Sequence, residues 1–166
     1  YIGSKNYRLL HGAALGNSEE LIQLLCKHNA RLNTKDYEGK TPLILATEQS
    51  NFSAMQALIR EHRRRGVSLE AASNNGETAF LYAAQTGTLH AGKILRDAGA
   101  NIRATNHDGQ GALHLAAVTG TNGCCRFVSW LLALPIGSIN IHQEDNDGLN
   151  ALDLACVHNQ TAIYEL

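Results

Sequence analysis

Apolar positions recur along this chain in blocks. Five short runs share one pattern: "LHGAA" from Leu10, "LILAT" from Leu43, "FLYAA" from Phe80, "LHLAA" from Leu113 and "LDLAC" from Leu152. Their spacings are 33, 37, 33 and 39, a period of 33 with insertions of 4 and 6. A second apolar segment follows each block, as "SAMQALIRE" follows "TPLILATEQ". Apolar residues at helical spacing predict two amphipathic helices per unit. At roughly 8–10 residues each, such helices are unstable alone in water. They must cover one another, which predicts a stack held by nearest-neighbour contacts. The alanine pairs Ala13-Ala14, Ala83-Ala84 and Ala116-Ala117 let first helices approach closely. The second helices carry the larger expected core residues: Leu21, Ile22, Leu24 and Leu25; Met55, Leu58 and Ile59; Ile94 and Leu95; Phe127, Val128, Trp130, Leu131 and Leu132.

Polar punctuation supports the same division. Gly39, Gly76, Gly109 and Gly148 close the turn tetrapeptides "DYEG", "SNNG", "NHDG" and "DNDG". Between paired helices, Asn17, Gly87, Gly120 and Asn159 suit a left-handed turn position, where Ser50 is a poorer fit. Thr41-Pro42 reads as a helix start, with Thr as N-cap and Pro at the first helical position. Gly39-Lys40-Thr41 is also the end of a phosphate-binding loop, but Thr34 stands where that loop needs a glycine.

This pattern resembles the ankyrin repeat family. The resemblance is carried by Gly39-Lys-Thr-Pro-Leu, by Leu113-His114-Leu-Ala-Ala and by the inter-repeat stretch "DAGANIRATNHDG" at 97–109. A 33-residue period with T-P-L-H-x-A is the ankyrin signature. The resemblance implies an all-α solenoid of stacked helix-turn-helix units with β-hairpin-like loops. It implies a single ankyrin-repeat domain over residues 1–166, with repeats about 3–35, 36–72, 73–105, 106–144 and 145–166. Arg8-Leu9 stands where Thr-Pro is expected, so the first repeat is degenerate. The fifth stops inside its second helix, and the chain reads as a fragment of a longer protein.

The function the resemblance implies is non-catalytic recognition of a partner protein by hairpin tips and exposed first-helix positions. The tip positions are Tyr37, Glu38 and Lys40; Asn74, Asn75 and Glu77; His107, Asp108 and Gln110; Asn146, Asp147 and Leu149. The helix positions are Glu48 and Gln49; Gln85 and Thr86; Val118 and Thr119; Val157 and His158. Tyr37 is the leading anchor, since tyrosine is enriched at interface hot spots. His11 and His114, fourth in the T-P-L-H block, are expected to hold loop-to-helix junctions. Two alternatives stay open: a regulatory or targeting module of a larger enzyme or channel, and a binder of a phosphorylated or nucleotide ligand.

Composition narrows these options. Lys plus Arg is 14 and Asp plus Glu is 15, so no net charge draws the chain to nucleic acid or membrane. The most apolar run, Val128–Ile136, is interrupted by Ser129 and Pro135 and is far short of a membrane span. A monomeric domain is expected. The four cysteines lack zinc spacing and read as reduced, small core residues, Cys26 and Cys156 among them. That favours an intracellular setting, cytoplasmic or nuclear. "QEDNDG" at 143–148 lacks two calcium ligands, because Gln143 and Leu154 occupy the first and twelfth loop positions. No motif calls for a metal, a cofactor or a catalytic nucleophile. One basic run stands out: "REHRRR" puts Arg60, Arg63, Arg64 and Arg65 at the first insertion. It reads as a solvated helix end, or as a patch for acidic or phosphate groups.

Overall fold

A computed structural model describes residues 2–135 and 137–158, with side chains from Leu9 onward. Among the described residues there are nine α-helices and no strand: α1 (Ile2–Leu15), α2 (Glu19–Lys27), α3 (Pro42–Glu48), α4 (Phe52–Arg65), α5 (Ala79–Gln85), α6 (Leu89–Asp97), α7 (Ala112–Thr119), α8 (Asn122–Leu132) and α9 (Ala151–Val157). They alternate as first and second helices of the repeat. The chain divides into two compact units, Tyr1–Ala79 and Phe80–Leu166.

In the first unit α1 packs on α2, α3 and α4, and α3 and α2 both pack on α4. The alanine pair does what its size permits: Ala13 and Ala14 are buried beside Leu10. Asn51 locks the layers together, donating its amide to the Ala14 and Leu15 carbonyls at 2.9 and 2.8 Å. Asn17 Oδ1 in turn accepts the Ala54 N–H at 3.0 Å. In the second unit α7 packs on α8 and α9, and α6 on α8. Its core is aromatic, with Phe127 5.8 Å from Phe80 and 5.3 Å edge-on from Trp130. Arg96 lies over the Trp130 ring at 5.2 Å.

The expected helix start at Thr41-Pro42 is present, and two other first helices begin by different chemistry. Thr41 Oγ accepts the Ile44 N–H with Pro42 next in line. Gly111 has no side chain to cap α7, and His114 Nδ1 accepts its N–H instead, at 3.2 Å. Asn150 and Asp153 cap α9 reciprocally. Asn17, Gly87 and Gly120 take positive φ as expected. So does Ser50, at φ 56, where the sequence suggested a poorer fit; its neighbour Asn51 holds the turn by the bonds above. Asn159 lies outside the described residues.

Four core expectations need correction. Leu21, Leu24 and Leu132 are exposed by 37%, 53% and 44%. Each belongs to a second helix whose inward stripe is already filled, by Ile22 and Leu25 in α2 and by Val128 and Leu131 in α8. Cys26 and Cys124 are buried, but Cys156 is exposed on α9, where Leu154 and Ala155 take the inward positions.

Candidate functional site

Four irregular hairpins carry the expected tip residues, and one polar side chain organises each. Asp36 Oδ1 accepts the N–H groups of Glu38 and Lys40, at 2.9 and 2.8 Å. Ser73 Oγ does the same for Asn75 and Glu77, both at 3.3 Å. Asn106 Oδ1 serves Asp108 and Gln110, at 3.0 and 2.9 Å. Asp145 Oδ1 serves Asp147 and Leu149, both at 3.0 Å. These four were missed as a set by sequence reasoning. Their signal was present: each is the first letter of a turn tetrapeptide, three residues before its glycine. Partial burial opposes the charge of Asp145, but the Leu149 and Asp147 amides, Gln110 and His114 outweigh it and lower its pKa.

Consecutive tips are then joined within each unit. Asn74 donates its backbone N–H to the Glu38 carbonyl at 2.9 Å and its side-chain amide to the Tyr37 carbonyl at 3.1 Å. Asn146 repeats both bonds one unit on, to the carbonyls of Asp108 and His107, each at 2.9 Å. Histidines tie tips to helices as expected. His11 Nε2 bonds the Lys40 carbonyl at 3.1 Å and His114 Nε2 the Leu149 carbonyl at 3.3 Å. Because His114 Nδ1 is an acceptor, its proton sits on Nε2, which donates.

The backbone of the tips is thus held, and most expected side chains point outward. In the first unit Tyr37 is 89% exposed. Glu38, Gln49, Asn74 and Asn75 are also exposed, with Glu48 half-buried. Lys40 is largely covered, its Nζ 2.8 Å from both Glu38 and Glu48. The adjacent Glu38 carboxylate raises the Tyr37 pKa, so the phenol stays a neutral donor. Glu77 is a correction: it is buried, 7% exposed, drawn in as the hairpin turns into α5. In the second unit Thr86, His107, Asp108, Thr119, Asn146, Asp147, Val157 and His158 are exposed. Gln85, Gln110, Val118 and Leu149 are half-buried.

The basic run is engaged with its own unit. The insertion lengthens α4 to 14 residues, against 9 in α2 and α6. Arg60 pairs with Glu19, and Arg64 with Glu61 at 2.7 Å. Arg65 donates to the Ala30 carbonyl at 2.8 Å and to the Cys26 carbonyl, closing the C-terminal end of α2. His62 is buried, its Nδ1 2.9 Å from the Leu58 carbonyl and its Nε2 2.9 Å from Asn33 Oδ1. Burial lowers its pKa, against the Leu58 carbonyl and with help from Arg65. Arg63 is exposed.

An open, largely apolar groove in the second unit is lined by Leu113, Ala117, Val128, Leu132, Ile141 and Leu152. Its polar members are His142 and Asn150, and Asn150 Oδ1 is engaged at the start of α9. Among the described residues no group of three His, Cys, Asp or Glu could hold a metal ion, and no helix is long and apolar enough to cross a membrane.

A family model described as ankyrin repeats, in three copies, matches residues 3–69, 57–140 and 80–166. The chain belongs to the ankyrin-repeat family. Ankyrin repeats are generally protein-interaction modules, and the all-helical fold is theirs. This ankyrin chain is similar to transient receptor potential cation channel subfamily A member 1 of Homo sapiens, 32% identical over 119 residues. That match covers 72% of this chain and 10% of the channel protein. It is also similar to ankyrin repeat and SOCS box protein 6 of Homo sapiens, 32% identical over 111 residues, covering 62% of this chain and 25% of that protein. The Mus musculus form is 35% identical over 79 residues, 46% of this chain and 18% of its own length. The chain therefore matches a tenth to a quarter of these relatives' length.

Proposed function

We propose that this ankyrin-repeat chain, as one monomeric domain over residues 1–166, recognises a partner protein and has no catalysis of its own. Binding falls to the hairpin tips and exposed first-helix positions of each unit. The observation that supports this is the tip of the first hairpin. Tyr37 is 89% exposed on a backbone held by Asp36, Asn74 and His11. A rigid tip presenting a large amphipathic ring loses little entropy on binding. Glu38, Lys40, Glu48, Gln49, Asn74 and Asn75 complete the set in the first unit. Gln85, Thr86, His107, Asp108, Gln110, Asn146, Asp147 and Leu149 are the equivalent set in the second. Glu77 acts in this reading as a structural residue. The partner is a protein rather than nucleic acid, met in the cytoplasm or nucleus.

The test compares wild type with Tyr37→Ala in quantitative capture from cell extract, alongside thermal melting. Partners should fall by about tenfold or more, a hot-spot loss, with melting unchanged. A Tyr37→Ala chain that unfolds, yet binds as before per folded molecule, overturns the assignment.

A second reading is favoured by the relatives. One is a cation channel of which this chain matches 10%, so the module can serve regulation or targeting within a larger protein. A phosphate or nucleotide ligand at Arg60, Arg63, Arg64 and Arg65 has less support, because three of these guanidinium groups already have partners.

A further inference from the structure

The basic run ends beside a hydroxyl that the partner-binding reading does not use. After α4 the chain turns through Gly66, at φ 63, and residues 66–73 form neither helix nor strand. Ser68 in this stretch is exposed. The sequence around it is Arg63-Arg64-Arg65-Gly66-Val67-Ser68-Leu69. Arginines therefore stand five and three residues before the hydroxyl, with an apolar residue one after. In an extended chain, period-two alternation puts Arg63, Arg65 and Leu69 on one side. Guanidinium forks at that spacing match paired carboxylates in the substrate groove of an arginine-directed kinase.

The local structure leaves the acceptor available. Among the described residues, Ser68 Oγ accepts the Glu70 N–H, at 3.1 Å, and the Ser68 carbonyl accepts from Asn33 Nδ2, also at 3.1 Å. Arg63 is exposed. Arg65 is held by the Cys26 and Ala30 carbonyls, so docking must open the last turn of α4. That turn ends on the bonds Gly66 N–H to Arg63 and Val67 N–H to His62. Terminal turns open at small free-energy cost.

We infer that Ser68 is a phosphorylation site for an arginine-directed serine/threonine protein kinase. Ser68 Oγ attacks the γ-phosphorus of magnesium-bound ATP. The new O–P bond forms as the bond to the β-phosphate oxygen breaks and ADP leaves. The serine proton passes to the kinase's catalytic aspartate. The product carries about two negative charges, five residues after the exposed Arg63.

The test incubates the full folded chain with protein kinase B and magnesium-ATP, read by intact mass and phosphopeptide mapping. One phosphate is expected, on Ser68, and none on Ser68→Ala. Arg63→Lys, at an exposed position, should lower kcat/KM by about tenfold with melting unchanged. A peptide of residues 60–73 separates motif from fold. Labelling of the peptide but not the folded chain overturns the inference, as does labelling of neither. Phosphate that persists on Ser68→Ala, or a rate unchanged in Arg63→Lys, overturns it too.

Discussion

At the scale of single residues, one turn slot recurs with different neighbours. Gly39 and Gly148 hold the same hairpin position, at φ 75 and 76. A Cβ on Gly39 would lie 2.3 Å from Asn74 Oδ1 and 2.5 Å from its backbone N, whereas one on Gly148 meets nothing within 4 Å among the described residues. Gly148→Ala is therefore expected to cost about 1 kcal/mol, the strain of a left-handed alanine. Gly39→Ala should cost about 2 kcal/mol more, because Asn74 must also move. Chemical denaturation of the two variants checks the difference. The recurring glycines were legible as turn residues, but the clash was not, since Asn74 lies 35 positions away in sequence. The histidines allow a second check. Burial lowers the pKa of both His11 and His62. The unfolded chain takes up these protons near pH 6.5 while the folded chain resists them, so stability should fall as pH drops below about 6.5. Melting at about pH 7.5 and 5.5 should show the loss, and His62→Gln should reduce it relative to wild type.

Helices differ where the repeat is irregular. The first insertion appears in sequence as four extra residues with a surplus of arginine, which reads equally well as a solvated end or a docking patch. The structure separates the arginines by role. Arg65 closes α2 through two carbonyls, while Arg63 faces solvent. Arg65→Ala is expected to cost about 1–2 kcal/mol, as charged hydrogen bonds do, and Arg63→Ala less than about 0.5 kcal/mol. A pair of melting curves distinguishes them. A similar reversal occurs in α6. Gly92 stands at the position that Ile22 and Met55 hold in α2 and α4, and a Cβ there would meet Phe127 Cε2 at 2.5 Å. The ring of α8 fills the space that α6 leaves empty. Gly92→Ala should overpack this contact and cost about 1–3 kcal/mol. Helix propensity would have suggested the opposite sign.

Across the whole molecule, the repeat explains why short helices are stable. Neither helix of a pair can bury its apolar face alone, so each layer depends on the next. Damage should then be local. Phe127→Ala removes the ring between Phe80 and Trp130, and hydrogen exchange should accelerate first in α6 and α8, ahead of α2 and α4. Periodicity by itself determined the helix pairs, the turn glycines, the Thr41 and Pro42 helix start and the family, because these follow from local spacing and backbone preference. Only the tertiary structure decided that Glu77 and His62 are buried, that Leu24 and Leu132 are not, and which arginines are already bonded. The physical reason is that burial and pairing depend on what the neighbouring layer supplies. Residues 29 to 39 positions apart, such as His62 with Asn33, Arg65 with Cys26 and Asn146 with His107, meet only when the layers stack.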